Sequence, residues 1–304
     1  NWTEVNDLNT AKNEGGSCGA TNTAALQFGG TTGSITGTTE SWNGTNWTEV
    51  NDLNTARVGL AGAGNYTSAL AFGGGTPTLT GASEVWNGTN WTEEGDLNTA
   101  RNYLTGGGTT NASAIAAGGQ DPSTTGVSEL WTGSGAPIGA WSTVNSMNTA
   151  RYLLAGSGIY TASLAFSGSD GTTEVGNTES YNGTNWTEVN DMNTGRAILA
   201  GVGTSTSTLG FGGNPVTGKT ETWNGTNWTE VNDLNTARYG LGGSGADNTA
   251  ALAFGGSDAG PNQAKTENWN GTNWTEVNDL NTARMYLAGA GASNTSALAF
   301  GGYV

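Results

Sequence analysis

The sequence predicts an all-β protein built from seven copies of one structural unit. The segment Trp42–Arg57, WNGTNWTEVNDLNTAR, recurs unchanged at 223–238 and 269–284, with looser copies elsewhere. Its second tryptophan recurs at spacings of 45, 44, 50, 45, 42 and 46 residues. Regular repetition of this kind identifies an array of equivalent units, and no segment shows the apolar spacing of a helix. We therefore expect residues 1–304 to form a single domain.

The second copy shows the four strands that each unit is predicted to contain. Strand A is Leu60–Gly64, strand B is Ser68–Gly74 and ends in a glycine doublet, and strand C is Ser83–Trp86. A turn at Asn87-Gly88-Thr89 leads to strand D, Asn90–Glu93. Asn-Gly between two strands is a strong hairpin signal, because a tight primed turn needs positive φ.

The turn between strands C and D also fixes which side chains share a face. In the first copy, a two-residue turn at either Asn43-Gly44 or Gly44-Thr45 pairs an even-numbered residue of strand C with an odd-numbered residue of strand D. Both alternatives place the same four side chains on one face, and these are Glu40, Trp42, Trp47 and Glu49.

Four antiparallel strands in about 45 residues, repeated radially, predict a β-propeller. We expect seven four-stranded blades, with the small residues of strand A near the axis and the tryptophans in the wedges between blades. Strand C, however, occurs only six times. The chain opens on a strand D, Asn1–Val5, and closes on a strand B, Leu298–Gly302. Either the N-terminal strand closes the ring in a last blade that lacks strand C, or the chain is cut from a longer array.

The order of an apolar strand, Phe-Gly-Gly, a loop, an aromatic residue, a turn, Trp and then Arg resembles the kelch repeat. The doublets lie at 29–30, 73–74, 118–119, 212–213, 255–256 and 301–302, with Ser167-Gly168 as a departure. Tyr181 stands at the strand-C aromatic position where the other copies carry Trp. The wording WNGTNWTEVNDLNTAR also looks like repeats in virion structural proteins of marine bacteriophages. The first resemblance implies a propeller that binds partners, and the second implies a virion.

The formal charge of −16, from 25 acids and 9 bases, argues against binding to nucleic acid or anionic lipid. No apolar run is long enough to span a bilayer, and no signal peptide is recognised at the start. Cys18 is the only cysteine, so an intrachain disulfide is impossible. We expect a virion or an extracellular or cell-surface location.

Seven of the nine bases occupy one repeat position, which favours a structural role. In the fourth copy Thr143 and Ser146 replace the strand-D Glu and the loop Asp, yet Arg151 and Glu129 remain. The arginine is therefore expected to pair with the strand-C glutamate or with carbonyl groups, since a buried charge needs a partner. The bases are Lys12, Arg57, Arg101, Arg151, Arg196, Arg238 and Arg284, and the glutamates are Glu40, Glu84, Glu129, Glu179, Glu221 and Glu267.

The recurrent strand-D tryptophans are predicted to pack between blades. They are Trp2, Trp47, Trp91, Trp141, Trp186, Trp228 and Trp274. The alternative is a propeller lectin in which Trp and Asn side chains between blades bind sugar. Asn-Gly-Thr and Asn-Trp-Thr match the N-glycosylation sequon, although turn chemistry already accounts for the Asn-Gly.

The composition argues against an enzyme. Without histidine there is neither a Ser-His-Asp triad nor an imidazole metal site, and we expect no cofactor and no metal. Repeated glutamates are poor candidates for paired catalytic carboxylates, because an active site should break the symmetry. The loop Ser169–Glu174 is only faintly calcium-like.

Recognition is predicted where the copies differ, which is in the loops between strands B and C. These loops are 31–38, 75–82, 120–127, 169–177, 214–219 and 257–265, and on the opposite face an insertion occupies 133–140. We expect a binding or adhesion module for a protein or glycan, and the alternative is a structural spacer. The candidate binding residues are Gln120, Asp121, Asp170, Asn214, Lys219, Asp258, Asn262 and Lys265.

Overall fold

The computed structural model describes residues 5–133 and 139–304 of the chain. They form 28 β-strands, most of them in antiparallel sheets of four strands. Within these residues no helix is long and apolar enough to cross a membrane.

Six four-stranded sheets, the blades, follow one another along the chain, and each pairs its strands in the order A, B, C, D. The strands are β1 Gly16–Thr21, β2 Ala24–Phe28, β3 Thr39–Trp42 and β4 Trp47–Val50 in blade 1; β5 Ala61–Asn65, β6 Ser68–Phe72, β7 Ser83–Trp86 and β8 Trp91–Glu93 in blade 2; β9 Thr105–Thr110, β10 Ser113–Ala117, β13 Ser128–Thr132 and β14 Ala140–Val144 in blade 3; β15 Ala155–Ile159, β16 Ala162–Phe166, β17 Thr178–Tyr181 and β18 Trp186–Glu188 in blade 4; β19 Ala200–Thr204, β20 Ser207–Phe211, β21 Thr220–Trp223 and β22 Trp228–Val231 in blade 5; and β23 Gly242–Asp247, β24 Ala250–Phe254, β25 Thr266–Trp269 and β26 Trp274–Val277 in blade 6.

The prediction of seven blades is wrong, because six blades are found. The prediction counted the strand-D tryptophan, which occurs seven times, whereas a complete blade also needs strand C, which occurs six times. The last copies of strands A and B, β27 Ala288–Ser293 and β28 Ser296–Phe300, form a two-stranded sheet. Strand β27 contacts both β23 of blade 6 and β1 of blade 1, so this hairpin lies between those blades.

The predicted N-terminal closing strand cannot be compared in full. Its residues 1–4, which include Trp2, lie outside the described residues, and Val5 belongs to no strand. In blade 3 a short pair, β11 Gln120–Asp121 and β12 Ser123–Thr124, forms within the loop between strands B and C. The predicted insertion at 133–140 includes residues 134–138, which also lie outside the described part.

The predicted strands of the second copy agree with the observed ones to within about two residues. The face-sharing prediction is confirmed as well, since Trp42 lies directly opposite Trp47 and Glu40 opposite Glu49. Of the two turns considered, this register fits Gly44-Thr45. Gly44 has a φ of 93°, which favours glycine, and the Asn43 side chain accepts hydrogen bonds from two backbone N–H groups, each 2.9 Å long.

The blades pack through a repeated contact between a phenylalanine, a glycine and a tryptophan. Phe28 ends β2 of blade 1, and its ring lies 4.9 Å from the Trp91 ring of blade 2. A Cβ atom on Gly62 of blade 2 would lie only 2.7 Å from Cζ of Phe28. Strand A therefore needs glycine because the preceding blade inserts a phenyl ring there. The same Phe–Trp contact joins Phe72 to Trp141, Phe166 to Trp228, and Phe211 to Trp274.

Blade 3 departs from this pattern because Ala117 replaces the phenylalanine. A cavity of about 90 Å³ lies at this point, and Ala117, Gly156 and Trp186 line it. Ala117 pairs with Thr105 on strand A. In other blades the phenylalanine pairs with alanine or glycine, as in Phe72 with Ala61. A small residue on strand B is thus matched by a larger one on strand A.

The double substitution Ala117→Phe with Thr105→Ala is expected to stabilise the protein. The new ring would fill the cavity of about 90 Å³, and cavity terms of ~24 cal/mol per Å³ give a gain of about 1–2 kcal/mol. Ala117→Phe alone should gain less, because Thr105 occupies part of the space that the ring needs. Urea unfolding of the wild type, both single variants and the double variant measures this. A double variant no more stable than the wild type would contradict the expectation.

Candidate functional site

The repeated arginine is buried in its blade and forms an ion pair with the strand-C glutamate, as the sequence predicts. Arg57 Nη2 lies 2.9 Å from Glu84 Oε1, and the Arg57 side chain is fully buried. The other oxygen, Glu84 Oε2, accepts hydrogen bonds from the backbone N–H and side-chain amide of Asn54, 2.6 and 2.9 Å long. The same ion pair joins Arg101 to Glu129, Arg151 to Glu179, Arg196 to Glu221, and Arg238 to Glu267.

Blade 1 carries a lysine at this position. Lys12 Nζ donates a 2.7 Å hydrogen bond to the carbonyl of Thr38 and lies 3.8 Å from Glu40 Oε1. Burial lowers the pKa of Lys12 to about 8, although Glu40 opposes this shift. The ion pair with its Asn contacts clamps the connection between strands D and A onto strand C. The clamp thereby fixes the residues that follow the base.

The second residue after the base occupies an equivalent position in every unit, two residues before strand A begins. We call these seven residues the axial mouth, and they are Glu14, Gly59, Tyr103, Leu153, Ile198, Gly240 and Tyr286. Backbone hydrogen bonds connect neighbouring members of the axial mouth. In each, the N–H of one residue donates to the carbonyl oxygen of its neighbour: Gly59 to Glu14 (2.9 Å), Tyr103 to Gly59 (3.0 Å), Ile198 to Leu153 (3.1 Å), Gly240 to Ile198 (3.1 Å) and Tyr286 to Gly240 (2.7 Å).

The axial mouth holds its backbone in the left-handed region even where the residue is not glycine. The values of φ are 53° at Glu14, Leu153 and Ile198, 50° at Tyr103 and 54° at Tyr286. Such a conformation costs about 1–3 kcal/mol for a non-glycine residue and persists only where the surrounding structure enforces it. Here the inter-blade backbone bonds and the clamp enforce it, while the side chains differ from unit to unit.

Two tyrosines are the largest exposed side chains of the axial mouth. Tyr103 is 37% exposed and Tyr286 is 40% exposed. Tyr103 lies over Gly59, where a Cβ atom would be 3.3 Å from its Cε1, and Tyr286 lies in the same way over Gly240. The hydroxyl of Tyr103 donates to Glu14 Oε2 at 3.2 Å. Burial, together with the Glu14 carboxylate, raises the pKa of Tyr103.

The loops between strands B and C adjoin the axial mouth. In each unit the residue directly after the base forms a β-bridge with the first residue of the loop, as Asn102 does with Gln120 and Ala197 with Asn214. The axial mouth and these loops therefore form one continuous surface. Its composition changes from blade to blade, while the clamp beneath it repeats.

Four of the predicted binding residues lie beside the axial mouth or join neighbouring loops. Gln120 and Asp121 form β11, and Gln120 exchanges backbone hydrogen bonds with Asn102. The side-chain amide of Asn214 donates to Glu174 Oε1 of the preceding loop at 3.3 Å. The amide of Asn262 donates to the carbonyl of Tyr303 at 2.9 Å.

The other four predicted residues stabilise local structure. Asp170 accepts hydrogen bonds from the N–H groups of Thr172 and Thr173, which lower its pKa. Asp258 accepts a bond from the N–H of Gly260 at 3.1 Å. Lys219 and Lys265 form partly exposed ion pairs with the strand-D residues Glu230 and Glu276.

No group of three or more acidic or cysteine side chains in the described ranges could hold a metal ion. The loop Ser169–Glu174 uses Asp170 as a turn acceptor, and the Asn177 amide donates to Glu188 rather than to this loop.

The axial mouth was not predicted from the sequence. The prediction placed variation only in the loops between strands B and C and in the insertion at 133–140. The signal was present in the sequence, because the second residue after the base is Glu, Gly, Tyr, Leu, Ile, Gly or Tyr in successive copies.

The radial blades, their inner strands in contact and their inter-blade aromatic packing define the chain as a β-propeller. No protein-family model matches the sequence, and no curated protein sequence is similar to it. Among solved structures, one titled "Structure of YjhT" is similar with a TM-score of 0.67 and 12% sequence identity. The match covers 90% of this chain and 99% of that one. At this identity the likeness concerns the fold alone.

Proposed function

We propose that this β-propeller is a non-enzymatic binding module that recognises a protein or glycan partner through the axial mouth and the adjoining B–C loops. The observation that carries the proposal is the set of non-glycine residues held in the left-handed region around the axis. Strained positions of this kind cluster at ligand sites, because the scaffold must support them against their cost. The scaffold repeats beneath them, and only the presented side chains vary.

The chemistry of the surface favours a polar partner without strong negative charge. Tyr103 and Tyr286 offer rings that can pack on a sugar face or a peptide side chain while their hydroxyls accept or donate hydrogen bonds. Glu14 adds a carboxylate next to them, within a chain of formal charge −16. A polyanion would be repelled from such a surface.

A lectin that uses the tryptophans between the blades has less support. Every tryptophan in the described ranges is at most 7% exposed. The indole N–H groups of ten of them donate to protein atoms, as Trp91 Nε1 does to Thr39 Oγ1 at 3.0 Å. A sugar would therefore find tyrosine faces at the axial mouth more readily than indole faces in the wedges.

The repeat pattern also bears on where the module acts. Its likeness to the kelch repeat supports a role in partner binding, and its likeness to repeats of phage virion proteins supports a virion or cell-surface location. The proposal therefore includes partner binding, a virion or cell-surface location, and an extracellular partner. Comparing purified virions or surface fractions with cell lysate by immunoblot tests the location.

The test of the proposed function is a glycan array together with a displayed peptide library, each probed with the whole chain. We expect defined hits that weaken at least about tenfold when Tyr103→Asn and Tyr286→Asn are combined, because asparagine keeps the left-handed backbone but removes the ring. Tyr66→Asn is the matched control, since Tyr66 is an exposed tyrosine in the A–B turn on the opposite face. Silence in both screens would favour the structural spacer instead.

A further inference from the structure

Glu14 is the only charged residue of the axial mouth. The residues that directly follow each base are neutral, and so are the first loop residues with which they form β-bridges, such as Asn13 with Thr31 and Asn102 with Gln120. Glu14 is exposed, and it takes part in none of the ion pairs among the described residues. The centre of the proposed binding surface therefore presents one negative charge without a cationic partner.

The Tyr103 side chain reaches across Gly59 to this carboxylate. A Cβ atom on Gly59 would lie 3.3 Å from Cε1 of Tyr103, and the Tyr103 hydroxyl donates to Glu14 Oε2 at 3.2 Å. The tyrosine hydroxyl therefore occupies one oxygen of the carboxylate. The other oxygen, Glu14 Oε1, accepts no hydrogen bond from the part of the chain that the structure describes. It is available to a donor that arrives from solvent.

Tyr286 brings a second aromatic ring to the same charge. Strand β27, which follows Tyr286, contacts β1, which follows Glu14, so the ring of inner strands closes between these two residues. Burial, the adjacent Tyr239 and the Glu14 carboxylate raise the pKa of Tyr286, and burial and the same carboxylate raise the pKa of Tyr103. One carboxylate therefore acts on both phenols, and both rings are more than a third exposed.

Aliphatic side chains complete the axial mouth on the side away from Glu14. Leu153 and Ile198 are half-buried and occupy the fourth and fifth positions when Glu14 is counted as the first of seven. The axial mouth thus combines one carboxylate, two aromatic rings and two aliphatic side chains. An alkylammonium group matches all three. Its charge is attracted to a carboxylate oxygen and to aromatic faces, and its methylene chain packs on apolar surface.

A guanidinium group matches this arrangement less well than an ammonium group. Guanidinium pairs best with both oxygens of a carboxylate at once, whereas an ammonium is a compact charge that needs only one. Because Glu14 Oε2 already accepts the Tyr103 hydroxyl, only Oε1 remains. The formal charge of −16 adds a long-range attraction for any cation.

We propose that the axial mouth binds a lysine side chain of a protein partner. The proposal rests on the binding function proposed above and names the group that this surface recognises. The lysine ammonium donates to Glu14 Oε1 beside the faces of Tyr103 and Tyr286, and its methylene chain packs towards Leu153 and Ile198. A protein is favoured over a glycan because lysine joins a cation to an apolar stem, whereas a neutral or acidic sugar offers no cation.

The test is an NMR titration of the whole chain with isotope-labelled tyrosine rings. The probes are Nα-acetyl-lysine-N-methylamide and its neutral counterpart, in which norleucine replaces lysine. We expect the lysine probe to shift the Tyr103 and Tyr286 signals saturably. The norleucine probe should bind at least about tenfold more weakly, since loss of a charge-assisted hydrogen bond costs about one decade of affinity or more.

Protein variants locate the charge. Glu14→Gln keeps an oxygen that can accept the Tyr103 hydroxyl but removes the charge, so we expect it to bind the lysine probe at least about tenfold more weakly and the norleucine probe unchanged. Glu49→Gln is the matched control, because it removes the same charge from an exposed position on β4 of blade 1. It should bind both probes as the wild type does.

A second variant isolates the aromatic rings. Tyr103→Leu combined with Tyr286→Leu removes both ring faces but keeps apolar side chains, and Leu153 shows that leucine fits this backbone at a φ of 53°. We expect the lysine probe to bind about fivefold more weakly or less, because two cation–π contacts are lost. Thermal melting verifies that every variant is folded.

The outcomes separate this proposal from the binding function on which it rests. Undiminished binding of the lysine probe to folded Glu14→Gln, equal binding of the two probes, or tighter binding of glucosamine than of the lysine probe would overturn it. So would the absence of any shift with the lysine probe. If the glycan or peptide screens still gave hits that weaken with Tyr103→Asn and Tyr286→Asn, the binding function would stand without the lysine. Silence in those screens together with no shift would overturn both.

Discussion

Arg238→Ala is expected to lower the free energy of unfolding by about 3–5 kcal/mol, the range for breaking a buried ion pair by removing one partner. The substitution leaves the Glu267 carboxylate fully buried without its guanidinium. It also removes the Arg238 hydrogen bonds to the carbonyls of Gly255 and Lys265, 2.8 and 2.5 Å long. Asn235 and Thr236 still donate backbone N–H groups to the carboxylate, and they keep the loss within this range.

Urea unfolding followed by tryptophan fluorescence measures the loss. The matched control is Lys219→Ala, which breaks a partly exposed pair with Glu230 at 3.0 Å. Exposed ion pairs contribute about 0–1 kcal/mol, so this variant should unfold close to the wild type. Arg238→Lys should fall between them, because Lys12 shows that a lysine fits the position. Ligand binding per folded molecule should be unchanged in the two Arg238 variants. A melting temperature for Arg238→Ala equal to that of the wild type would refute the structural role.

The strands of the blades could be predicted because their signals are local. Asn-Gly turns, glycine doublets and tryptophans at fixed spacing mark the ends of each strand, and the parity of the turn places Trp42 and Trp47 on one face, as the structure confirms. The strand-C glutamate could also be predicted as one of two kinds of partner for the arginine, because the fourth copy keeps both residue types while it loses the other acids. The copy that supplies the glutamate was not predicted, since Glu129 pairs with Arg101 and Arg151 pairs with Glu179. Substitutions within a repeat array act as natural variants of one contact.

The number of blades could not be predicted from the repeat period alone. A recurring residue gives only the number of its own copies. The strand-D tryptophan occurs seven times, whereas a complete blade also needs strand C, which occurs six times. The need for glycine in strand A was also non-local, since a Cβ atom on Gly62 would meet both the Phe28 ring and the Ser17 carbonyl oxygen of the preceding blade. Contacts between units become visible only when the packing of one unit on the next is known.

The axial mouth was missed for a different physical reason. Sequence rules assign left-handed backbone to glycine and asparagine, and Gly59 and Gly240 obey them. At Tyr103, Leu153 and Ile198 the neighbouring blades enforce the same φ on residues that disfavour it. Local propensity therefore fails at the positions where the scaffold imposes strain, and these are the positions that we propose for recognition.

Trp228→Ala is expected to lower the free energy of unfolding by about 3–5 kcal/mol through the loss of buried ring contacts and the cavity left behind. The Trp228 ring packs 4.9 Å from Phe166 of the preceding blade and 5.5 Å from Trp223 of its own. Its Nε1 donates a 2.9 Å hydrogen bond to Thr178 Oγ1, so one side chain joins blades 4 and 5. Trp228→Phe keeps most of the ring and should cost less, since a single hydrogen bond contributes about 0.5–1.5 kcal/mol.

Trp186→Ala provides the comparison that isolates the inter-blade phenylalanine. Trp186 holds the equivalent position in blade 4 and donates to Ser128 Oγ at 2.9 Å, but it faces Ala117 and lines the cavity of about 90 Å³. Because it lacks the phenyl contact, its truncation should cost less than that of Trp228. In the Ala117→Phe, Thr105→Ala background the cost of Trp186→Ala should rise towards the Trp228 value. Equal costs in all three measurements would show that the Phe–Trp contact does not hold adjacent blades together.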